Sequence, residues 1–556
     1  MHFVKTLPAL LCAFDAGAAW AQVVPDAGQT MRQLQRPGPA TQSPARAAPT
    51  LAVPDERPAM AAPDTARIPV KSFRITGAQR YSAPELAALV HDWTGRELSM
   101  TELQAAAARI TRHYREHGFL VARAYVPAQS LREGIVEIAV LEGQMGKVEF
   151  KNASRVSDAR ARALLGDARP GGAILGPTLE RGLIALNETP GIGRASAALQ
   201  PGASVGLSDL VVALEPGAAV SGSADMDNHG NRYTGRYRLG GTLYANSPLR
   251  LGDQFSARIV GSDSDLYYAR IAYRVPVGSS GLALGAGYSA SRYRLGVDFA
   301  VLDVNGHARI ATAFATYPLV RSAALNLTGA LSADDKTLQD RVDTVQSVSD
   351  KTVRSVTAGV LGNGTRGNIG YGFSASYTTG KLDIASPAIR VADAASARTH
   401  GSYGKFSYAA TGTMAFAGPW SGHGGLNGQL ASQNLDSSEK FVLGGADGVR
   451  AYAPGEAAGD EGYLATAEVR YAVPASALGA MQLAGFVDHG CMRINKAPFA
   501  VGENRRRLSA AGIGLTWTAP RQVLVRASLA WKVGNARSTA DTDRSVRAWM
   551  QAVKYF

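Results

Sequence analysis

Cysteine, charge and long apolar runs are all scarce in this sequence. Its 556 residues include two cysteines, Cys12 and Cys491. If an N-terminal leader that contains Cys12 is removed, only Cys491 remains, and its thiol is incidental. A single cysteine excludes an intrachain disulfide. No later window approaches the run of about 18 apolar residues that a membrane-spanning helix requires. If the chain lives in a membrane, it must therefore cross as a closed β-barrel.

The composition also argues against a nucleic-acid-binding protein and against an enzyme. The formal net charge is +13, but the basic residues are dispersed, and Arg505, Arg506 and Arg507 form the only run. Scattered arginines suit a barrel lumen or anionic lipopolysaccharide better than a surface that follows phosphates. The sequence contains no nucleophile elbow, no phosphate-binding loop and no paired carboxylates. We therefore expect no catalytic residue, no cofactor and no nucleic-acid partner.

One short pattern imitates a metal site. Residues 113–117 fit H-x-x-E-H, which on a helix could offer two imidazoles and a base to zinc. No third ligand is identifiable, and a solvated helix face explains both His113 and His117. We expect no bound metal.

The first residues are typical of a secreted protein. Lys5, an apolar middle and an Ala-Trp-Ala motif before Gln22 indicate a signal peptide over residues 1–21. Bulky Leu11 precedes Cys12 where a lipobox needs a small residue, so no lipid anchor is predicted.

A short helix and a linker follow the leader. Within residues 22–36, Asp26 is placed to cap a helix through the backbone of Gln29. Such a helix is too short to be stable alone in water. Residues 37–67 are rich in Pro and Ala and lack periodicity, which predicts an extended linker without secondary structure.

Two small α/β units are predicted next. In residues 68–143, a strand precedes a helix from Ser82 to Trp93, a second helix that starts at a Ser99 capping box, and two further strands. The predicted core of this first unit includes Leu86, Leu89, Ile110 and Tyr114. Residues 144–217 repeat the architecture without repeating the sequence. Strands are predicted around Val148 and up to Leu210, with helices at 159–165 and 178–187.

From residue 218 to 556 the pattern changes to alternating segments of about ten residues separated by Gly, Asn, Asp and Ser. About sixteen such strands are predicted, an even number that would close a membrane barrel. A soluble sandwich is the competing interpretation, but it would not need so many long strands. The barrel interpretation places four aromatic residues on the outside near strand ends. They are Tyr267, Trp517, Trp531 and Trp549.

The glycine-rich stretch from Gly444 to Tyr471 holds an arginine beside an aromatic residue, in the order Val449, Arg450, Ala451 and Tyr452. Glycines let a backbone pass through tight places, and such an arginine needs a buried partner if the loop packs inside a larger structure. Asp488 offers one, because a single Asp in an apolar strand is costly unless it meets an opposite charge. A surface arginine in a polar loop is the alternative.

These residues resemble a signature pair of a known family. Residues 449–452 match V-R-[GA]-[YF], and Phe486, Asp488 and Gly490 match F-x-D-x-G. The pair is typical of the two-partner-secretion outer-membrane transporters, the haemolysin secretion/activation family. Residues 118–129 and 134–143 are similar to the family's first POTRA domain, and residues 227–254 to its first barrel hairpin.

The resemblance implies an architecture of two POTRA domains and a barrel of about sixteen strands, with residues 22–36 as a plug helix. It implies that a loop over residues 435–462 folds into the lumen, where Arg450 contacts Asp488. Alanine at 451 replaces the commoner glycine, so the loop tip could turn differently. The chain ends in Phe556, which the resemblance makes a signal for insertion by the barrel-assembly machinery.

The function implied is an outer-membrane pore that secretes one dedicated large exoprotein, a haemolysin, an adhesin or a contact-dependent toxin. Its POTRA domains would capture the unfolded TpsA-type client in the periplasm of a Gram-negative bacterium. Lipid and lipopolysaccharide would surround a barrel that is expected to be monomeric. Two alternatives stay open: an assembly factor for other barrels, and a passive porin.

Overall fold

The computed structural model describes residues 25–35, 50–52, 67–130, 133–166, 168–322 and 324–556. The predicted signal peptide and most of the predicted linker lie outside these ranges. In chain order, a helix is followed by two small α/β units and a closed barrel. No helix within these ranges is long and apolar enough to cross a bilayer.

The first helix, α1 (Ala27–Gln35), lies inside the barrel. Asp26 caps it as the sequence predicts, because its Oδ1 accepts a hydrogen bond from the Gln29 amide at 2.8 Å. Met31 and Leu34 are buried in one cluster with barrel side chains. Since a helix of nine residues is marginal in water, this packing supplies its stability.

The first α/β unit has a three-stranded sheet with β6 between β3 and β5, while β2 pairs with β4 apart from it. Its elements are β2 (Ile68–Val70), β3 (Ser72–Thr76), α2 (Ala83–Leu89), β4 (Arg96–Leu98), α3 (Met100–Glu116), β5 (Arg123–Tyr125) and β6 (Ile135–Leu141). Ser99 and Glu102 form the predicted capping box at the start of α3.

The core of this unit contains the side chains expected there. Leu86, Ile110 and Tyr114 are buried, and Leu89 packs partly buried against them. Helix α2 is shorter than predicted, because the backbone leaves the helical region at Val90 and a 3₁₀ turn takes its place.

The second α/β unit has a four-stranded sheet in the order β1-β8-β9-β7. Its elements are β7 (Gln144–Asn152), α4 (Asp158–Leu165), α5 (Gly176–Asn187), β8 (Ile192–Pro201), β9 (Leu207–Pro216) and, from the linker, β1 (Thr50–Ala52). Strand β1 was not predicted, since three residues are too few to show a period. This part of the linker therefore differs from the expectation of a segment without secondary structure.

The second unit contacts the barrel directly. The Ser157 amide donates to the Arg250 carbonyl at 2.9 Å, and Arg321 pairs with Glu188 at 3.0 Å. The first contact is with a turn between two barrel strands, residues 247–253, and the second is with the last residue of a barrel strand.

The barrel consists of sixteen strands that pair antiparallel with their neighbours in sequence and close between the first and the last. They are β10 (Val220–Asp227), β11 (Arg238–Asn246), β12 (Gln254–Ser262), β13 (Leu266–Pro276), β14 (Ala283–Arg294), β15 (Val304–Arg321), β16 (Leu325–Val342), β17 (Ser347–Arg366), β18 (Ile369–Ile384), β19 (Gly401–Ala415), β20 (Trp420–Ala431), β23 (Glu461–Ser476), β24 (Gly479–Arg493), β25 (Arg505–Ala519), β26 (Val523–Lys532) and β27 (Val546–Tyr555). The predicted barrel is confirmed, and the sandwich is excluded.

Alternation along the strands separates an apolar outside from a filled inside. Ile259, Val469 and Ile513 are more than half exposed on the outer face. Some strands are longer than the ten or so residues predicted: β16 has 18 residues and β17 has 20. The length of β16 is hard to predict from the sequence because Asp334 and Asp335 resemble a turn. In the structure both residues pair with the neighbouring strands and continue β16.

Candidate functional site

The loop between β20 and β23 folds into the barrel. Its ends pair as a two-stranded sheet of β21 (Phe441–Val442) and β22 (Ala458–Gly459). Leu443, Val449 and Tyr452 in this loop are fully buried. They pack with inward-facing side chains of the barrel wall, so the loop has its own apolar core inside the lumen.

Glycines make the loop compact. A Cβ on Gly444 would lie 2.1 Å from the Ala453 carbonyl oxygen, and one on Gly448 would lie 2.0 Å from that of Leu443. Ala451 is buried and has no positive φ. Alanine in place of the commoner glycine therefore adds no backbone strain.

Arg450 and Asp488 are in direct contact. The guanidinium donates from Nε to Oδ2 and from its terminal nitrogen to Oδ1, both at 2.8 Å, and the Arg450 amide donates to Oδ2 at 3.1 Å. The side chain of Asp488 is 0% exposed and that of Arg450 is 14% exposed. This geometry excludes the alternative of a surface arginine.

The partner motif works because residues two apart share one face of a strand. On β24, Phe486, Asp488 and Gly490 face the lumen, whereas Val487 is 54% exposed on the outside. The Arg450 guanidinium carbon lies 3.3 Å from the centre of the Phe486 ring. A Cβ on Gly490 would lie 2.5 Å from Leu443, so this glycine leaves room for the loop.

Several residues that hold this pair were missed by sequence reasoning. Glu468 accepts a hydrogen bond from Arg450 at 3.0 Å, and Thr466 donates to Asp488 at 3.0 Å. Gly512 on the next strand leaves room for the Phe486 ring, since a Cβ there would lie 2.3 Å from it. Glu468 gave a usable signal, because a lone acidic residue in an alternating strand needs a partner just as Asp488 does.

Trp549 was placed on the wrong face by the sequence. It is 4% exposed, whereas Tyr267 and Trp531 are 55% and 40% exposed on the outside. Its indole Nε1 donates to the Arg450 carbonyl at 2.6 Å. Tyr452, the last residue of the loop motif, donates to the Ala536 carbonyl at 3.1 Å.

A second buried carboxylate fixes the tip of the loop. Glu456 is fully buried, pairs with Arg506 and accepts hydrogen bonds from the amides of Thr539 and Ala540. One of the three consecutive arginines, Arg506, therefore forms an ion pair with the loop.

The base of the loop is held by further ion pairs. Asp436 pairs with Lys351 at 2.8 Å. Glu439 pairs with Lys336 and with Lys405, each at 2.6 Å. The lysines lie on barrel strands, so buried charge of opposite sign connects the loop to the wall.

Helix α1 rests on this base. A Cβ on Gly28 would lie 2.7 Å from the Cβ of Ser438. The Ala27 amide donates to Asp340 on β16 at 2.8 Å, and Tyr293 donates to the same carboxylate at 2.5 Å. The helix therefore contacts the loop and the barrel wall together.

Phe556 lies at the seam of the barrel. Its backbone exchanges two hydrogen bonds with Gly222 on β10, at 3.0 and 3.1 Å. The ring lies against Gly222, where a Cβ would meet it at 2.7 Å, and the residue is 61% exposed.

The two histidines of the H-x-x-E-H pattern belong to an aromatic cluster. The rings of His113 and His117 lie 4.4 Å apart, and Tyr81 meets both edge-on. Among the described residues, no group of three or more His, Cys, Asp and Glu has the arrangement of a metal site. Nearby, burial and a hydrogen bond to Glu142 raise the pKa of the Tyr114 hydroxyl, which keeps it a neutral donor.

Comparison with known proteins gives two family matches. The model described as "Haemolysin secretion/activation protein ShlB/FhaC/HecB" matches residues 206–518, more than half of the chain. The model described as "POTRA domain, ShlB-type" matches residues 68–143.

Individual relatives agree with these matches. The heme/hemopexin transporter protein HuxB of Haemophilus influenzae (strain 86-028NP) is 27% identical over 485 residues, which cover 86% of this chain and 85% of the relative. The outer membrane transporter CdiB of Escherichia coli is 28% identical over 224 residues, or 40% of this chain and 37% of that protein.

The solved structure of CdiB from Escherichia coli has the same fold. It superposes with a TM-score of 0.72 at 19% identity and covers 95% of this chain and 96% of its own. The chain therefore belongs to the haemolysin secretion/activation family ShlB/FhaC/HecB, the outer-membrane transporters of two-partner secretion.

Proposed function

We propose that this transporter exports one large exoprotein through a lumen that is closed at rest by helix α1 and by the inward-folded loop. The observation that carries the proposal is the contact between these two elements at Gly28 and Ser438. Each element is also held to the wall by buried ion pairs or hydrogen bonds. Moving the helix out would remove one side of the packing around the loop base.

The domain boundaries proposed for this cycle follow the sequence. Residues 1–21 form the signal peptide, 22–36 the plug, 37–67 the linker, 68–143 and 144–217 the two POTRA domains, and 218–556 the barrel. The POTRA domains capture the unfolded client in the periplasm, where a sheet edge can accept an extended segment.

Export needs no nucleotide hydrolysis in this proposal. The chain acts as a conduit and not as an enzyme, and folding of the client outside the cell drives export. Outer-membrane lipid and lipopolysaccharide surround a monomeric barrel, and the assembly machinery reads Phe556 during insertion.

The loop motif has a positioning role. Arg450 and Asp488 hold the loop in the conformation that permits export, with Phe486 beneath the guanidinium and Tyr452 packed beside it. Val449 and Ala451 fill the loop core, and Gly490 gives Leu443 its space. Arg450→Ala should reduce export while leaving the barrel in the membrane.

Four classes of large exoprotein are candidate clients. HuxB is named as a heme/hemopexin transporter, so an exoprotein for haem acquisition joins haemolysin, adhesin and contact-dependent toxin as candidates.

The experiment that tests the proposal compares the secreted and outer-membrane proteins of the native host with and without this gene by mass spectrometry. Loss of one large extracellular protein, with other barrels unchanged, is the expected result. A general decline of outer-membrane barrels would indicate an assembly factor, and an unchanged pattern would favour a porin.

A second measurement separates an exporter with a plug from an open porin. Single-channel conductance is compared for the full chain and for a variant without residues 22–66. The deletion should raise the open probability of the exporter, whereas a porin should conduct equally in both forms.

A further inference from the structure

The two ends of the barrel face different sides of the membrane. Ser157 and Arg160 of the second α/β unit donate hydrogen bonds to the carbonyls of Arg250 and Gly278 in barrel turns. These turns therefore lie on the periplasmic side, as short turns of such barrels do. Strand β14 runs away from that side and ends at Arg294. Outward-facing residues close to Arg294 thus lie in the outer leaflet, which carries lipopolysaccharide in Gram-negative bacteria.

Two arginines near this end face the lipid. Arg292 on β14 and Arg309 on β15 are exposed, whereas their sequence neighbours Tyr293 and Ala308 are buried inside the barrel. Among the described residues, no carboxylate forms an ion pair with either guanidinium. A charge on the lipid face of a barrel is unfavourable unless it lies near the interface and meets an anionic group.

An apolar groove runs beside these arginines on the outer wall. It has a volume of about 1270 Å³ and is lined by residues of β10 to β15, with both arginines at one edge. Leu239, Ile259 and Tyr267 line it and are more than half exposed. Gly241 and Gly261 keep its floor open, since a Cβ on either would meet no atom closer than 3.8 Å. The groove therefore has room for hydrocarbon chains.

The strand register joins the cationic edge to the apolar walls. Leu239 pairs with Gly261, Gly261 with Tyr267, and Tyr267 with Arg292. The guanidinium carbon of Arg292 lies 6.0 Å from the centre of the Tyr267 ring. The two parts form one continuous surface with the chemistry of an anionic amphiphile, because cationic and apolar contacts lie side by side.

Two neighbours adjust the charge of this surface. His307 is the register partner of Arg292 on β15 and shares its face, so its imidazole offers a further hydrogen-bond donor. Asp263 is the only acid among the described residues that line the groove. Its carboxylate accepts a hydrogen bond from the Tyr237 amide at 3.1 Å. The outer edge of the groove therefore keeps an excess of positive charge.

We propose that the outer wall of β10 to β15 is a binding site for one lipopolysaccharide molecule, with its phosphates on Arg292 and Arg309 and its acyl chains in the groove. The planar fork of a guanidinium matches a phosphate, and basic pockets on membrane proteins bind anionic lipid head groups. The inference rests on the proposed lipopolysaccharide surroundings of the barrel and adds a specific place of binding. It does not depend on export.

The first test measures the lipid that stays bound. The full chain is purified in detergent with a chelator, which removes lipopolysaccharide held through divalent cations, and the remaining lipopolysaccharide is quantified by mass spectrometry. Arg292→Gln with Arg309→Gln should retain about tenfold less than the wild type, because charge-assisted hydrogen bonds are lost. Heat-modifiable migration on gels shows that the barrel of this double variant is intact.

A third outward-facing arginine provides the matched control. Arg354 on β17 already pairs with Asp335 at 3.0 Å, and its side chain is 77% exposed. Arg354→Gln should therefore retain the wild-type amount of lipopolysaccharide. An equal loss in this control and in the double variant would overturn the site, because any outward charge would then have the same effect.

The second test fills the groove. Gly241→Leu should retain about fivefold less lipopolysaccharide, because the new side chain takes the place of acyl-chain carbons. Gly485→Leu on β24 is the matched control: Gly485 is also exposed, a Cβ there would meet no atom within 4 Å, and binding should be unchanged. Wild-type retention by Gly241→Leu would overturn the assignment of the acyl chains to the groove.

The third test identifies the source of the phosphate. The delipidated wild type is titrated in detergent with lipopolysaccharide, with phosphatidylglycerol and with inorganic phosphate, and bound species are counted by native mass spectrometry. Lipopolysaccharide should bind at least about tenfold more tightly than either competitor, since it alone combines several phosphates with several acyl chains. Equal binding of phosphatidylglycerol would overturn the assignment to lipopolysaccharide.

Failure of this inference can be told apart from failure of the proposed function. If the gene deletion removes one exoprotein but the double arginine variant retains as much lipopolysaccharide as the wild type, export stands and the site is wrong. If the deletion removes no exoprotein but the double variant loses its lipopolysaccharide, the site stands and the export function is wrong.

Discussion

Replacement of Arg450 by alanine should free the loop from the barrel wall. The change removes two hydrogen bonds from the guanidinium to Asp488 and one to Glu468. Glu468 keeps a second partner, Arg470, at 2.6 Å. Asp488 keeps the amide of residue 450 and the Thr466 hydroxyl but loses its counter-charge while 0% exposed.

The size of the effect follows from this geometry. At about 4 Å and an effective dielectric of about 20, the attraction between the charges is about 4 kcal/mol before desolvation. Removing one partner of a buried pair costs about 3–5 kcal/mol, because the other charge stays buried. At a factor of ten for each 1.4 kcal/mol, the population of the released loop should rise about 100-fold to 4,000-fold.

Labelling of a buried loop cysteine measures this population. Ala453 is 4% exposed in the loop, so Ala453→Cys in a Cys491→Ser background reports release through its reaction rate with a membrane-impermeant maleimide. Arg450→Ala should accelerate labelling by the factor above, while heat-modifiable migration on gels shows that the barrel persists.

A double variant tests the cause. Arg450→Ala with Asp488→Asn removes both charges and should label more slowly than Arg450→Ala alone, since no uncompensated carboxylate remains. An acceleration below tenfold in Arg450→Ala, or equal rates in the single and double variants, would refute the argument that the buried charge pair holds the loop.

Two further predictions concern the neighbours of this pair. Trp549→Phe removes the donor to the Arg450 carbonyl, which should destabilise the closed loop by about 1 kcal/mol. The cysteine of Ala453→Cys should then react about fivefold faster with the maleimide. The control Trp531→Phe, on the outer face, should leave this rate unchanged. Gly28→Val adds a side chain whose Cβ alone would lie 2.7 Å from the Cβ of Ser438, so it should expel helix α1. Single-channel recordings of Gly28→Val should then show the open probability of the variant without residues 22–66. The control Gln35→Val, at the end of the helix, should stay closed. A closed Gly28→Val channel would contradict the packing argument.

Local chemistry in the sequence determined the elements and the main contact. Capping of α1 by Asp26 and of α3 by Ser99 depends on neighbours within three residues, and strands repeat every second residue, so both patterns are legible without a fold. Asp488 was identifiable because an isolated carboxylate in an apolar strand demands a partner. The number of strands followed from the same alternation.

The tertiary structure alone decided which face of each strand is inside and which distant residues meet. Alternation assigns Trp549 to one of two faces, but the register between β26 and β27 selects the lumen, where it reaches Arg450 from 99 residues away. Glu456 reaches Thr539 across 83 residues. The linker strand forms because β8 offers it an edge. Three residues of sequence are too few to predict this pairing.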